Sequence, residues 1–154
     1  MKLEGTTHIR APREKAFAYF TDATFVADCA PGVKGLEVIE PDKKFKIIAG
    51  VGFGAVKVSF NTFVEFLNKL PNDSATIKAS GKAPGSNVDV IAHLNFVDAA
   101  DGGTTLNWVA DANISGSIAS VAMRLLGSIT QKLSGQFFEC AKGKIETPDI
   151  ETTS

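Results

Sequence analysis

The sequence predicts an α+β domain of helix-grip architecture: a curved seven-stranded antiparallel sheet around a long C-terminal helix, with two short helices after strand 1. Three observations carry this reading. Apolar and polar residues alternate with period two through most of the chain between Phe45 and Ile114. A 3.6-period apolar stripe follows, from about Ser117 to Lys144. Two short helix-like pieces separate the first strand from the rest. A strongly curved sheet cannot follow one helix along its whole length, so this architecture leaves room for an internal apolar cavity.

The segment KLEGTTHIR, Lys2 to Arg10, reads as the first strand. APREKAFAYFTD begins a helix at Pro12, where a missing N–H costs nothing, and shows Ala16, Phe17 and Phe20 on one face. ATFVADCA is the second short helix, with Asp22 as its N-cap and Pro31 as its stop. The Pro31–Gly32 pair ends that helix, launches the second strand, and is expected at the mouth of the cavity.

Strands then follow in KFKIIAGV, AVKVSFNTFVEFL, ATIKASG, NVDVIAHLNFV and TLNWVADANI. Phe45, Ile47 and Ala49 face inward in the first. Val56, Val58, Phe60, Thr62, Val64 and Phe66 do so in the second, where Phe63 and Leu67 break the alternation. Ala75, Ile77 and Ala79 continue the inward face, then Val88, Val90, Ala92, Leu94 and Phe96. Leu106, Trp108, Ala110, Ala112 and Ile114 complete it after the AADGGTT turn. The final helix carries Ile118, Ala122, Leu125, Ile129, Leu133 and Cys140 in one stripe, widened by Val121, Leu126 and Phe137. Gly127 and Gly135 each weaken it by about 1 kcal/mol relative to Ala, and so ask for a reason. Residues 1–147 are read as the domain and 148–154 as a polar tail.

Composition excludes several classes. Net charge is −1 with scattered Lys and Arg, so nothing points to nucleic acid. No apolar leader or membrane-length run is present, and a cytoplasmic protein is the simple reading. Cys29 and Cys140 are far apart and in no ligand spacing, so unpaired, metal-free thiols are expected. Eleven Phe against one Tyr and one Trp suit a core or greasy cavity better than a polar site.

With this order established, the chain resembles the carbon monoxide dehydrogenase G-subunit family of the START-like (steroidogenic-acute-regulatory-related) superfamily. The resemblance runs from LEGTTHIRAPREKAFAYFTD through CAPGVKGLEV and ASGKAPGSNVDV to LLGSITQKLSGQFFECAKGKI. Its most specific parts are the Cys-x-Pro-Gly turn and the Gly…Phe-Phe helix. It implies a non-enzymatic accessory protein that carries a quinone or similar lipid. It also implies a molybdenum hydroxylase of the carbon monoxide dehydrogenase type as partner, and peripheral association with the inner face of the cell membrane.

The residues themselves offer no catalytic set. His8 and His93 are isolated and read as surface groups, and they form no metal site. GVGFGAVKV and GKAPGS lack the glycine order of a nucleotide loop. Ser115, Ser117 and Ser120 read as caps of the last helix, and Glu65 and Asp111 point outward. No cofactor is called for. The expected ligand contacts are Phe45, Val58, Phe60, Thr62, Val90, Phe96 and Trp108 on the sheet, with Leu125 and Ile129 on the helix. Such a surface binds by burial, at about 25 cal/mol per Å² of apolar area. A START-like enzyme of the polyketide cyclase or dehydratase type, which needs inward acids or bases, and a scaffold with a filled core are the alternatives.

Overall fold

The computed structural model describes residues 2–53 and 56–146, apart from the side chains of Val51, Phe53, Val56 and Leu126. The expectations for Val56, Leu126, Gly54 and the tail therefore lie outside the described residues. The elements run β1 (Lys2–Ile9), α1 (Arg13–Phe20), α2 (Ala23–Cys29), β2 (Val33–Glu40), β3 (Lys44–Phe53) and β4 (Val56–Phe66). After them come β5 (Ser74–Ala83), β6 (Ser86–Asp98), β7 (Thr104–Gly116) and α3 (Ala119–Ile145). The seven strands form one sheet in the order β1-β7-β6-β5-β4-β3-β2, every neighbouring pair antiparallel. This is the helix-grip fold the alternation predicts.

Local chemistry fixes the junctions. The Asp22 carboxylate accepts from the N–H groups of Thr24 and Phe25 and so starts α2. Gly32 adopts φ +82°, and a Cβ there would overlap the Gly50 carbonyl oxygen. Its own carbonyl accepts from the Gly50 N–H at 2.8 Å, which fastens the turn to β3.

Two expectations are corrected. Cys29 and Cys140 form a disulfide, with α-carbons 5.5 Å apart. Sequence distance hid this, because only the packing of α2 on the C-terminal half of α3 brings the two together. The three serines do not cap α3, whose first-turn boundary is Ile118 without a side-chain bond. Ser115 belongs to β7, and Ser117 donates its N–H to the Gly85 carbonyl at 2.8 Å, tying the helix start to the β5–β6 turn.

Two apolar clusters lie between sheet and helices. The larger gathers Ile9, Phe17, Phe20, Phe25, Phe96 and Leu106 under α1, α2 and the Ala141–Ile145 end of α3. The smaller joins Phe60 to Ile118 and Ala122 at the other end.

Candidate functional site: an apolar cavity under the long helix

A cavity of about 210 Å³ lies between the sheet and the middle of α3. Its walls are Ala49 of β3, Phe60 and Thr62 of β4, Ala79 and Gly81 of β5, Val88 and Val90 of β6, and Ile114 of β7. Ile129, Thr130 and Leu133 cover it from the helix. The hollow follows from residue size and register. Gly81 sits across from Thr62 and Val88, and Ala79 across from Val64 and Val90, so the middle strand has almost no side-chain bulk. A Cβ on Gly81 would lie 3.1 Å from the Thr62 hydroxyl and 3.4 Å from Phe60 Cβ. A side chain there would therefore enter the cavity wall.

The lining has no ionisable side chain; the hydroxyls of Thr62 and Thr130 are its only polar side-chain groups. It can take up an uncharged apolar body and offer a hydrogen bond to one polar atom.

Of the nine expected contacts, the structure brings Phe60, Thr62, Val90 and Ile129 together around this cavity. The other five lie elsewhere. Phe45 is buried edge-on against Phe66, with ring centroids 5.8 Å apart. Val58 and Leu125 pack beside the cavity on the Phe60–Ala122 cluster. Phe96 is 1% exposed within the larger core, its ring 5.4 Å from that of Phe17. The Trp108 ring lies against Gly5, where a Cβ would come within 2.6 Å of it, and lines a separate groove with Thr6, Gln131 and Ser134. The strand parity and helix stripe that placed these five say which face a residue occupies, not how far along the helix it sits.

Pro31–Gly32 does not border the cavity. Gly32 lines a depression with Lys34, Gly50 and Ser59, largely on the opposite face of the sheet. The wall residues that sequence reasoning passed over, Ala49, Ala79 and Gly81, carried a usable signal. They are small residues at inward positions on β3 and β5, the two strands that flank β4.

The charged groups are remote. Asp101 has its carboxyl held below the usual aspartate range, first by the Gly103 N–H and then by His8, whose Nε2 is 3.1 Å away. His93 Nδ1 lies 3.0 Å from the Thr76 hydroxyl on the outer face. Among the described residues no cluster of His, Cys, Asp and Glu could hold a metal. None of the described helices is long and apolar enough to cross a membrane.

Comparison with known proteins agrees with this architecture. A conserved protein from Geobacillus kaustophilus superposes with a TM-score of 0.87 at 22% identity, covering 95% of each chain. The Zhui aromatase/cyclase from Streptomyces sp. R1128 superposes at 0.71 with 14% identity, over 95% of this chain and 93% of its own. The di-domain aromatase/cyclase BexL does so at 0.67 with 14% identity, over 96% of this chain and 50% of its own. These likenesses establish the fold alone. No curated relative matches. The family model for the carbon monoxide dehydrogenase G-subunit (CoxG) matches residues 5–146, and the chain belongs to that family.

Proposed function

We propose that this protein is a non-catalytic accessory that carries an uncharged apolar molecule, a quinone or a lipid tail, in the cavity under α3. In this reading it serves a molybdenum hydroxylase of the carbon monoxide dehydrogenase type, on the cytoplasmic side and in peripheral contact with the membrane. Family membership supports the partner. The single observation that supports the cargo is the lining: eleven residues, two hydroxyls and no charge. An open volume of about 210 Å³ also favours binding over a filled scaffold. It falls below the roughly 300–1,000 Å³ of sites that enclose a drug-sized ligand. The cavity therefore takes a single ring or a short run of methylenes, with the rest of a long-tailed molecule left outside.

The second reading, an enzyme of the aromatase/cyclase type, is favoured by the likeness to Zhui and BexL. Proton transfer at a reacting carbon needs a group that titrates near the working pH. The two threonine hydroxyls do not supply one, so the carrier reading stands first.

The test is mass spectrometry of small molecules that co-purify with the native protein, together with titration of a fluorescent quinone analogue into the emptied protein. Stoichiometric apolar cargo and saturable analogue binding are expected. Turnover of a polyketide-type substrate, or an empty protein that takes up no analogue, would overturn the reading.

A further inference from the structure

The outer face of the sheet is unevenly balanced. Toward one end each lysine has a carboxylate opposite it: Lys44 pairs across the strands with Glu40 and Glu65, Lys46 with Glu37, and Lys78 with Glu65. Toward the other end this matching stops. There, a depression of about 630 Å³ is lined by Lys34, Lys57 and Ser59, with Gly32, Gly50 and Gly52 among its remaining residues and no carboxylate. Among the described residues neither Lys34 nor Lys57 is within ion-pair distance of an acid.

The glycines shape this depression. Outward positions along β3 run Lys44, Lys46, Ile48, Gly50 and Gly52, so side chains end where the lysines gather. A Cβ on Gly50 would lie 3.3 Å from Lys34 Cε and 3.5 Å from its Nζ, so the lysine stem lies flat across this bare backbone. Its ammonium then donates to the Ser59 hydroxyl at 3.1 Å. That leaves two ammonium protons and the serine O–H still to be donated. Gly52, the cross-strand partner of Lys57, has nothing within 4 Å of where its Cβ would be, so the floor between the two ammonium groups is open.

We propose that this depression binds a phosphate group, held by Lys34, Lys57 and the Ser59 hydroxyl over the Gly50–Gly52 backbone. Two uncompensated ammonium groups and a free hydroxyl donor suit a tetrahedral oxyanion, for which lysine acts as a point charge. The phosphate belongs to a soluble phosphoester or to a lipid headgroup. The site lies across the sheet from the apolar cavity and is independent of its cargo.

Two-dimensional amide NMR of the full chain, titrated with inorganic phosphate against chloride at matched ionic strength, tests this. Saturable shifts confined to Gly50, Gly52, Ser59 and their neighbours are expected. Lys34→Gln and Lys57→Gln should each loosen binding about tenfold, as the loss of one charge-assisted hydrogen bond predicts. Gly50→Ala keeps every charge but displaces Lys34, and should loosen it too. Lys78→Gln removes a matched lysine and should change nothing. Sedimentation with phosphatidylcholine vesicles, with and without phosphatidic acid, separates the sources. Binding that needs phosphatidic acid and is lost in Lys34→Gln assigns a headgroup, whereas free-phosphate binding without vesicle binding assigns a soluble ester. Three outcomes would overturn the site: shifts spread equally over Lys44, Lys46 and Lys78, equal loosening by Lys78→Gln, or an acidic peptide binding where phosphate and vesicles do not.

Discussion

Around Ala141 and Ile145, both fully buried, α3 is packed against β1, α1, α2 and the phenylalanines they bring. Two to four turns earlier, around Ile129 and Leu133, the same helix crosses the same sheet and covers a hollow. The inner face is apolar at both ends, so hydrophobicity does not separate them. Bulk does. At the packed end, Phe20 touches the rings of Phe25, Phe96, Phe137 and Phe138, with centroids about 6 Å apart. At the hollow end the sheet offers Ala49, Ala79 and Gly81, and neither short helix lines the space. The short helices are thus the plug of a sheet that curves away from its helix, and the cavity is the part they leave unplugged.

Truncation at the packed end should give the largest effect. Phe96→Ala is expected to lower unfolding free energy by about 3–5 kcal/mol in urea denaturation, because its surroundings cannot collapse into the space. A loss below about 1 kcal/mol would show that this end is loosely filled and erase the contrast. Opening the Cys29–Cys140 link comes next. Cys140→Ser should cost about 2–4 kcal/mol, since the bond closes a loop spanning 111 positions of the chain. Analogue binding should survive, because the link lies at the packed end.

The sharpest test of the hollow is Ala79→Phe, which adds bulk where the strand has almost none. In a packed core such overpacking costs about 1–3 kcal/mol. Here stability should change by less than about 1 kcal/mol while the quinone analogue no longer binds. Marked destabilisation with unchanged binding would place the cargo elsewhere. The smallest effect is expected from Asp101, an exposed turn residue at the rim of the packed end. Its carboxyl is lowered in the folded state, so its contribution is complete above the ordinary value of 3.8 and is lost as pH falls through the lowered one. Asp101→Asn should therefore lower the urea midpoint slightly at neutral pH and leave it unchanged at a pH below the lowered value, so that the acid-induced loss shrinks; urea denaturation at the two pH values, followed by circular dichroism, checks this.

The fold was legible because period-two alternation and a long 3.6-period stripe are dense, redundant signals. Asp22 and Pro12 also marked the starts of the short helices at their actual places. The site was legible only as a face. Thr62 and Phe60 were correctly set inward, but so was Phe96, and nothing in the alternation says that α1 would fill the space beside it with Phe17. Large residues drew the eye to ligand contacts, whereas the cavity is made by small ones. The disulfide was illegible for a different reason. A pair set so far apart becomes neighbours only through the docking of α2 on α3.

The order of strands also governs how the chain assembles. From β3 to β7 each strand pairs with the one before it, so five successive hairpins can form as the chain grows. β1 is the exception: it waits for β7, and Lys2 meets Asp111 only after nearly the whole sheet has been made. Closing so long a loop is slow and comes without local help. Until it closes, β1 stays unpaired and β7 presents a bare sheet edge to other chains. Expression yield should therefore fall most steeply with changes that weaken β1–β7 pairing, even where they leave the cavity and the finished core untouched.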